Sequence, residues 1–253
     1  MFETVLASIG LGTAKIDLRL DHPTVRAGEE VTGHFVVTGG KAEQDIEGLS
    51  VYFMMESCHA TSLSNIHKKI ASIGISKEEY ELEPGETKEV PFSFHCPEDL
   101  PPSSINTKYF FLSNLEIKHA IDAHDRDYLQ VKPAKHLENF YQAIEQLGFH
   151  QTWEGSLPLD NESFGQLLQY RPTSYFYRKF EQVGFYFENQ KEQKELTGIF
   201  DITLKENDHS NYLSFLQSKK LTHSFLIDEE TLKNVESTQK YLEEMIRKDL
   251  AHS

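Results

Sequence analysis

His119, Asp122, His124, Asp125 and Asp127 crowd into "KHAIDAHDRDY", residues 118–128, with Arg126 among them. Imidazoles and carboxylates this close can ligate a divalent cation. The spacing suits neither of the familiar metal sites. The paired histidines of a zinc protease helix are missing, and so are the glycine and terminal glutamate of a calcium loop. No metal is therefore expected. The same residues suit an inter-strand loop whose carboxylates accept backbone N–H groups or pair with Arg126. Asp122, Asp125, Arg126 and Asp127 are the candidate inter-domain or partner polar site, and Arg126 is expected to bridge carboxylates between strands or domains.

Other chemistry is thinner. "GLGTAK" lacks the length and the Gly-Lys-Ser/Thr ending of a phosphate loop, and no Gly-x-Ser-x-Gly elbow is present. Cys58 and Cys96 fall on strand-like runs, where a thiolate has nothing to stabilise it. Trp153, Tyr170, Tyr175, Phe176, Tyr177 and Phe180 could form a sugar-binding platform, although aromatics at strand spacing more often fill a core. No residue set reads as catalytic, no cofactor is implied, and the chain reads as a non-enzymatic protein that works by binding. A carbohydrate-type ligand module is the alternative, and a hydrolase on a sandwich scaffold a weaker one.

Composition narrows the partners. The 253 residues carry 40 acids against 25 Lys and Arg, a formal charge of −15. That field repels phosphate backbones and anionic bilayers, so other proteins are the expected partners rather than nucleic acid. Glu3 precedes a short apolar stretch at the N-terminus, a poor signal peptide, and no run reaches the ~18 apolar residues of a membrane span. A cytoplasmic protein is expected. Hydrophobic residues make up only 38%, but Phe 17 and Tyr 11 supply enough apolar volume for a core.

The elements that must position these residues begin with two similar turns, "RAGEEVTGHFVV" and "EPGETKEVPFSF". Ala27 and Pro84 suit the first corner of a β-turn; Gly28 and Gly85 supply the positive φ its second corner often needs. Alternating runs follow each turn. Further runs at Ile16–Leu20, Leu49–Met55, Ile70–Ile75, Tyr80–Leu82, Tyr109–Ile117 and Leu129–Val131 complete seven or eight short strands, an antiparallel sandwich. A helical stretch near residues 3–11 precedes them.

At residue 134 the period changes. Leu137, Phe140, Ile144 and Leu147 step by three and four, and Gly148 stands where the helix should end. β-like runs resume at Phe164–Tyr170, Val183–Phe187 and Leu196–Leu204, with "ENQKEQKE" as a hairpin connection. "NYLSFLQSKK" is ambiguous between helix and strand. The chain closes on a helix capped by Asp228, with Leu232, Val235, Leu242, Ile246 and Leu250 as its apolar face. The boundaries are 1–132 for a β-sandwich, 133–150 for a linker helix, and 151–253 for a second β-rich domain ending in a helix.

"TAKIDLRLDHPTVRAGEEVTGHFVVTGGKAEQDIEGL" and "LEPGETKEVPFSFHCPEDLPPSSINTKYFFLSNLEI" resemble the strand order of arrestin-like proteins. More narrowly, "GTAKIDLRLD", "GGKAEQDIEGL", "LEIKHAIDAHDRDYLQVKP", "AIEQLGF" and "YRPTS" resemble the bacterial sporulation-control (SpoOM) family. The resemblance is good over residues 1–150 and looser beyond. The run of arginines common before the family's Pro-Thr-Ser segment is reduced here to Arg171 and Arg178. The resemblance implies a mainly β fold of two antiparallel β-sandwich domains, with a linker helix and a C-terminal helix. It also implies a regulatory or adaptor role in the control of sporulation or cell development, through protein-protein interaction. A homodimer formed through a sheet edge is compatible with it.

Overall fold

The computed structural model describes residues 12–77, 79–158, 164–173, 175–189, 194–204 and 220–251. The expected helix near residues 3–11 and the ambiguous "NYLSFLQSKK" lie outside them. The chain divides into two compact units. One comprises residues 1–56, 66–97 and 108–132; the other comprises 57–65, 98–107 and 133–253.

The first unit contains two sheets. In the smaller one, β3 (Glu30–Thr38) lies between β1 (Lys15–Leu20) and β7 (Thr87–His95), all antiparallel. The larger has the order β2-β9-β8-β4-β5. Its strands are β2 (Thr24–Arg26), β4 (Gln44–Cys58), β5 (Asn65–Ser76), β8 (Lys108–Ile117) and β9 (Ala123–Lys132). A short β6 (Tyr80–Leu82) also pairs with β4, and β2 runs parallel to β9. Alternation places Ile16, Leu18, Val31, Phe35, Phe53, Met55, Phe92, Phe111 and Leu115 inside. Phe111 is the hub, with ring centres 4.9 Å from Phe53 and 5.2 Å from Phe92. Such offset and edge contacts add to the area each ring buries.

Both Gly-Glu turns take the expected conformation. Gly28 has φ +90° and Gly85 φ +72°, and each turn closes with a backbone bond: Glu29 N–H to Arg26 O, Glu86 N–H to Glu83 O. The strands they launch, β3 and β7, pair with each other, Glu30 opposite His95 and Thr38 opposite Thr87. The repeated sequence thus marks opposite ends of one strand pair. Pro91 sits on β7, the sheet's edge, where a missing N–H costs no ladder bond.

The second unit contains a five-stranded antiparallel meander: β10 (Phe149–Pro158), β11 (Phe164–Pro172), β12 (Phe180–Asn189), β13 (Leu196–Leu204) and β14 (Lys220–Ile227). The layer facing it is helical. α1 (Lys135–Gln146) puts Leu137, Phe140, Ala143 and Ile144 into the core, and Gly148 ends it at φ +76°. Phe140 is central, 5.5 Å between ring centres from both Phe185 and Phe187 on β12.

The C-terminal helix is broken in two. Asp228 accepts from Thr231 N and caps a single turn, α2 (Glu229–Leu232). Asn234 then accepts from Ser237 N and starts α3 (Val235–Ala251), which buries Thr238, Leu242 and Ile246. Short polar side chains satisfy the exposed N–H groups of a first turn, so each cap begins its own helix.

Candidate functional site

The "KHAIDAHDRDY" segment is mostly strand. Only residues 118–122 turn, with His119 at φ +57° and Asp122 Oδ1 accepting from Ile117 N at 3.1 Å. From Ala123 onward the chain is β9, so the expected loop over 122–127 is corrected to a turn followed by a strand. The strand's register then decides which way each charge faces. Val131 and Leu129 are buried, and two residues back along the same face come Asp127 and Asp125. These acids therefore occupy core-facing positions, at the end of the strand where the core gives way to solvent. Arg126, His124 and Tyr128 take the opposite, exposed face.

That alternation separates Arg126 from its sequence neighbours. Its guanidinium lies 4.2 Å above the Phe110 ring on β8, and Nη1 is 3.5 Å from Glu56 Oε1 on β4. The bridge between strands is present, but it runs to Glu56 rather than to Asp125 or Asp127. His67 Nδ1, on β5, stands 3.6 Å from the same Glu56 oxygen. A polar ladder thus crosses four strands on the outer face of the larger sheet.

On the inner side, Asp125 joins the two sheets. Its Oδ2 accepts from Leu18 N on β1 at 3.2 Å, and its Oδ1 from Arg126 N at 2.9 Å. Asp17, next to Leu18, brings a third carboxylate and is paired with Arg19 at 2.9 Å. One oxygen each of Asp17, Asp125 and Asp127 lies within 4.8 Å of the other two. Burial, then the charge of Asp125, its hydrogen bond, and the charge of Asp17 push Asp127 up to about 7; the Leu18 N–H acts the other way. Asp127 Oδ2 has no partner while all three acids are ionised. A proton on Asp127 supplies the donor that Asp125 can accept. The cluster is thus a proton-holding group near neutral pH, within the first unit. His119 and His124 do not join it.

The other nominated residues fall into place. Tyr170, Phe176 and Phe180 are buried, which removes them from any exposed sugar platform; Tyr175 and Tyr177 are exposed. Arg247 Nη1 donates to Tyr175 Oη at 2.8 Å, and this bond holds the phenol's pKa below its ordinary value. Cys96 is buried just past β7, and Cys58 is half-buried at the end of β4; both are free thiols.

Sequence reasoning passed over Glu154. This fully buried carboxylate on β10 accepts from Thr107 N at 2.6 Å and Asn106 N at 2.9 Å, while Asn106 Nδ2 donates to its backbone oxygen. Ser57, Thr107 and Ser156 hydroxyls bond nearby at 3.0 Å. The alternation hid it: a bulge between Gln151 and Trp153 switches the inward face from the odd positions of Phe149 and Gln151 to the even positions of Glu154 and Ser156.

Three sheets and few helices among the described residues make the chain mainly β, with an arrestin-like fold. The family model described as SpoOM protein matches residues 2–202, and the chain belongs to that family. It is 31% identical over 189 residues to the sporulation-control protein spo0M of Bacillus subtilis (strain 168), covering 70% of this chain and 71% of that protein. The crystal structure of Spo0M, sporulation control protein, from Bacillus subtilis matches with a TM-score of 0.71 at 25% identity, over 94% of this chain and 99% of that one. Among the described residues, no helix is long and apolar enough to cross a membrane.

Proposed function

We propose that this protein is a non-enzymatic regulatory adaptor, acting through protein-protein contacts on the control of sporulation or cell development. The observation that carries the reading is its similarity to a protein named for sporulation control, along most of both chains. The polar ladder supports it, since Arg126 and Glu56 present paired charges, with the His67 imidazole beside them, on an exposed sheet face. A partner reads such a pattern mainly through specificity and association rate. Asp122, Asp125 and Asp127 shape the strand that carries Arg126, and Arg126 with Glu56 and His67 forms the contact surface.

The test is complementation. In a Bacillus subtilis strain lacking spo0M, this chain should restore the normal course of sporulation, measured as heat-resistant spore titre. Arg126→Glu, expressed to the same level, should fail to do so and should lose proteins that co-purify with the parent. Failure of the parent chain to alter the titre would overturn the assignment to sporulation. Equal activity of Arg126→Glu would remove the ladder from the contact surface.

A further inference from the structure

The second unit holds a cleft of about 250 Å³ that the polar site does not explain. One wall is the solvent-side face of α1, where Glu138, Tyr141, Gln142 and Glu145 succeed one another at helical spacing. The other is the Pro102–Ser104 segment. Gln166 and Leu168, neighbours on the same face of β11, form the floor.

Three properties define the occupant. The lining contains two carboxylates, Glu138 and Glu145, and no Lys, Arg or His. Gln166 is 1% exposed; its Oε1 accepts from Tyr141 Oη at 2.8 Å, while its Nε2 has no acceptor among the described residues. A buried donor left in this state favours a ligand that brings an acceptor. Finally, the volume falls below the ~300–1,000 Å³ of drug-sized sites and suits one long side chain with its adjoining peptide unit.

The wall is also held in place beforehand. Gln151 Nε2 donates to Ser104 Oγ at 2.8 Å, Ser104 N bonds Thr107 O at 3.0 Å, and Thr107 N is fixed by Glu154. A preformed wall lowers the ordering cost of binding.

We infer that this cleft receives an arginine or lysine side chain of a partner polypeptide. The cation lies between Glu138 and Glu145, and the adjoining peptide carbonyl accepts from Gln166 Nε2. The inference rests on the adaptor reading and names the chemistry by which a partner is held.

The experiment uses the ¹⁵N-labelled full chain titrated with three probes. N-acetyl-arginine amide carries cation and carbonyl; butylguanidinium carries the cation alone; N-acetyl-norleucine amide carries the carbonyls alone. The blocked arginine should give saturable shifts at the Gln166 side-chain amide and at the backbone amides of residues 138–145. Each of the other two should bind about tenfold more weakly. Glu138→Gln/Glu145→Gln, on the solvent side of α1, should keep its melting temperature and lose about tenfold in affinity. Gln166→Met, checked for an intact spectrum, should bind butylguanidinium and blocked arginine alike. Absent saturation with blocked arginine, butylguanidinium binding equally well to the parent, or unchanged affinity in the double glutamine variant would each overturn the inference. Probe failure beside successful complementation would reject this cleft alone. Saturable probe binding beside failed complementation would instead reject the sporulation role.

Discussion

Asp127 carries a carboxyl group that holds its proton far more tightly than is usual for its type. Its folded-state value near 7 lies above the ~3.9 of an aspartate in an unfolded chain. The folded protein therefore binds the proton more tightly, and its stabilising contribution is complete below about pH 4 and lost as pH rises through about 7. Asp127→Asn should match the parent near pH 4 and be more stable at pH 8, by about 1–2 kcal/mol after allowance for solvent screening of a half-exposed group. Urea midpoints at the two pH values check this; a constant difference would mean that Asp127 ionises freely. Arg126 makes a separate prediction. Arg126→Ala should cost about 1 kcal/mol through loss of the Phe110 and Glu56 contacts, and Arg126→Lys about half of that, because an ammonium keeps the charge without the flat stacking surface. Equal midpoints for the parent and both variants would show the ladder to be energetically neutral.

At the scale of elements, alternation made β1, β3, β4, β7 and β8 legible, and both Gly-Glu turns with them. Leu137, Phe140, Ile144 and Leu147 marked α1 for the same reason, at the other period. β10 escaped because a bulge between Gln151 and Trp153 breaks its alternation, and the inward positions beyond the bulge, Glu154 and Ser156, are polar. The start of β9 escaped likewise, since Asp125 and Asp127 occupy core-facing positions. Their meeting with Asp17 was beyond local pattern altogether: Leu18 and Asp125 are 107 residues apart in the chain. The break before Asn234 was readable in hindsight from Asn234 and Ser237, an N-cap and its third following residue. Phe140 tests how α1 contributes. Phe140→Ala removes a ring that touches β12 and β14, and should destabilise the second unit by about 3–5 kcal/mol. Hydrogen exchange should then quicken first in β12 and β14; unchanged protection there would show that α1 is dispensable to that sheet.

For the whole molecule, the formal charge of −15 acts against compactness. Screening by sodium chloride should relieve this repulsion. Between low salt and about 0.5 M the melting temperature should rise by about 2–4 °C, the shift that roughly 1 kcal/mol produces in a chain of this size. A fall would mean that attractive pairs, Arg126–Glu56 and Arg247–Glu243 among them, outweigh the net charge. The SpoOM family and the mainly β character were readable from the chain's motifs; the parallel pairing of β2 with β9 was not. The helical layer over the second sheet was not, because amphipathic helices state only that they must cover something apolar.

Glu154 also sets an order of events during synthesis. Thr107 emerges from the ribosome 47 residues ahead of the carboxylate that will hold its N–H. Until β10 follows, the 98–107 segment waits without its anchor. A fragment begun at Pro133 would bury the anion with no Asn106 or Thr107 to receive it. The C-terminal half is thus completed by amino acids translated long before it, and a single cut cannot yield two finished pieces.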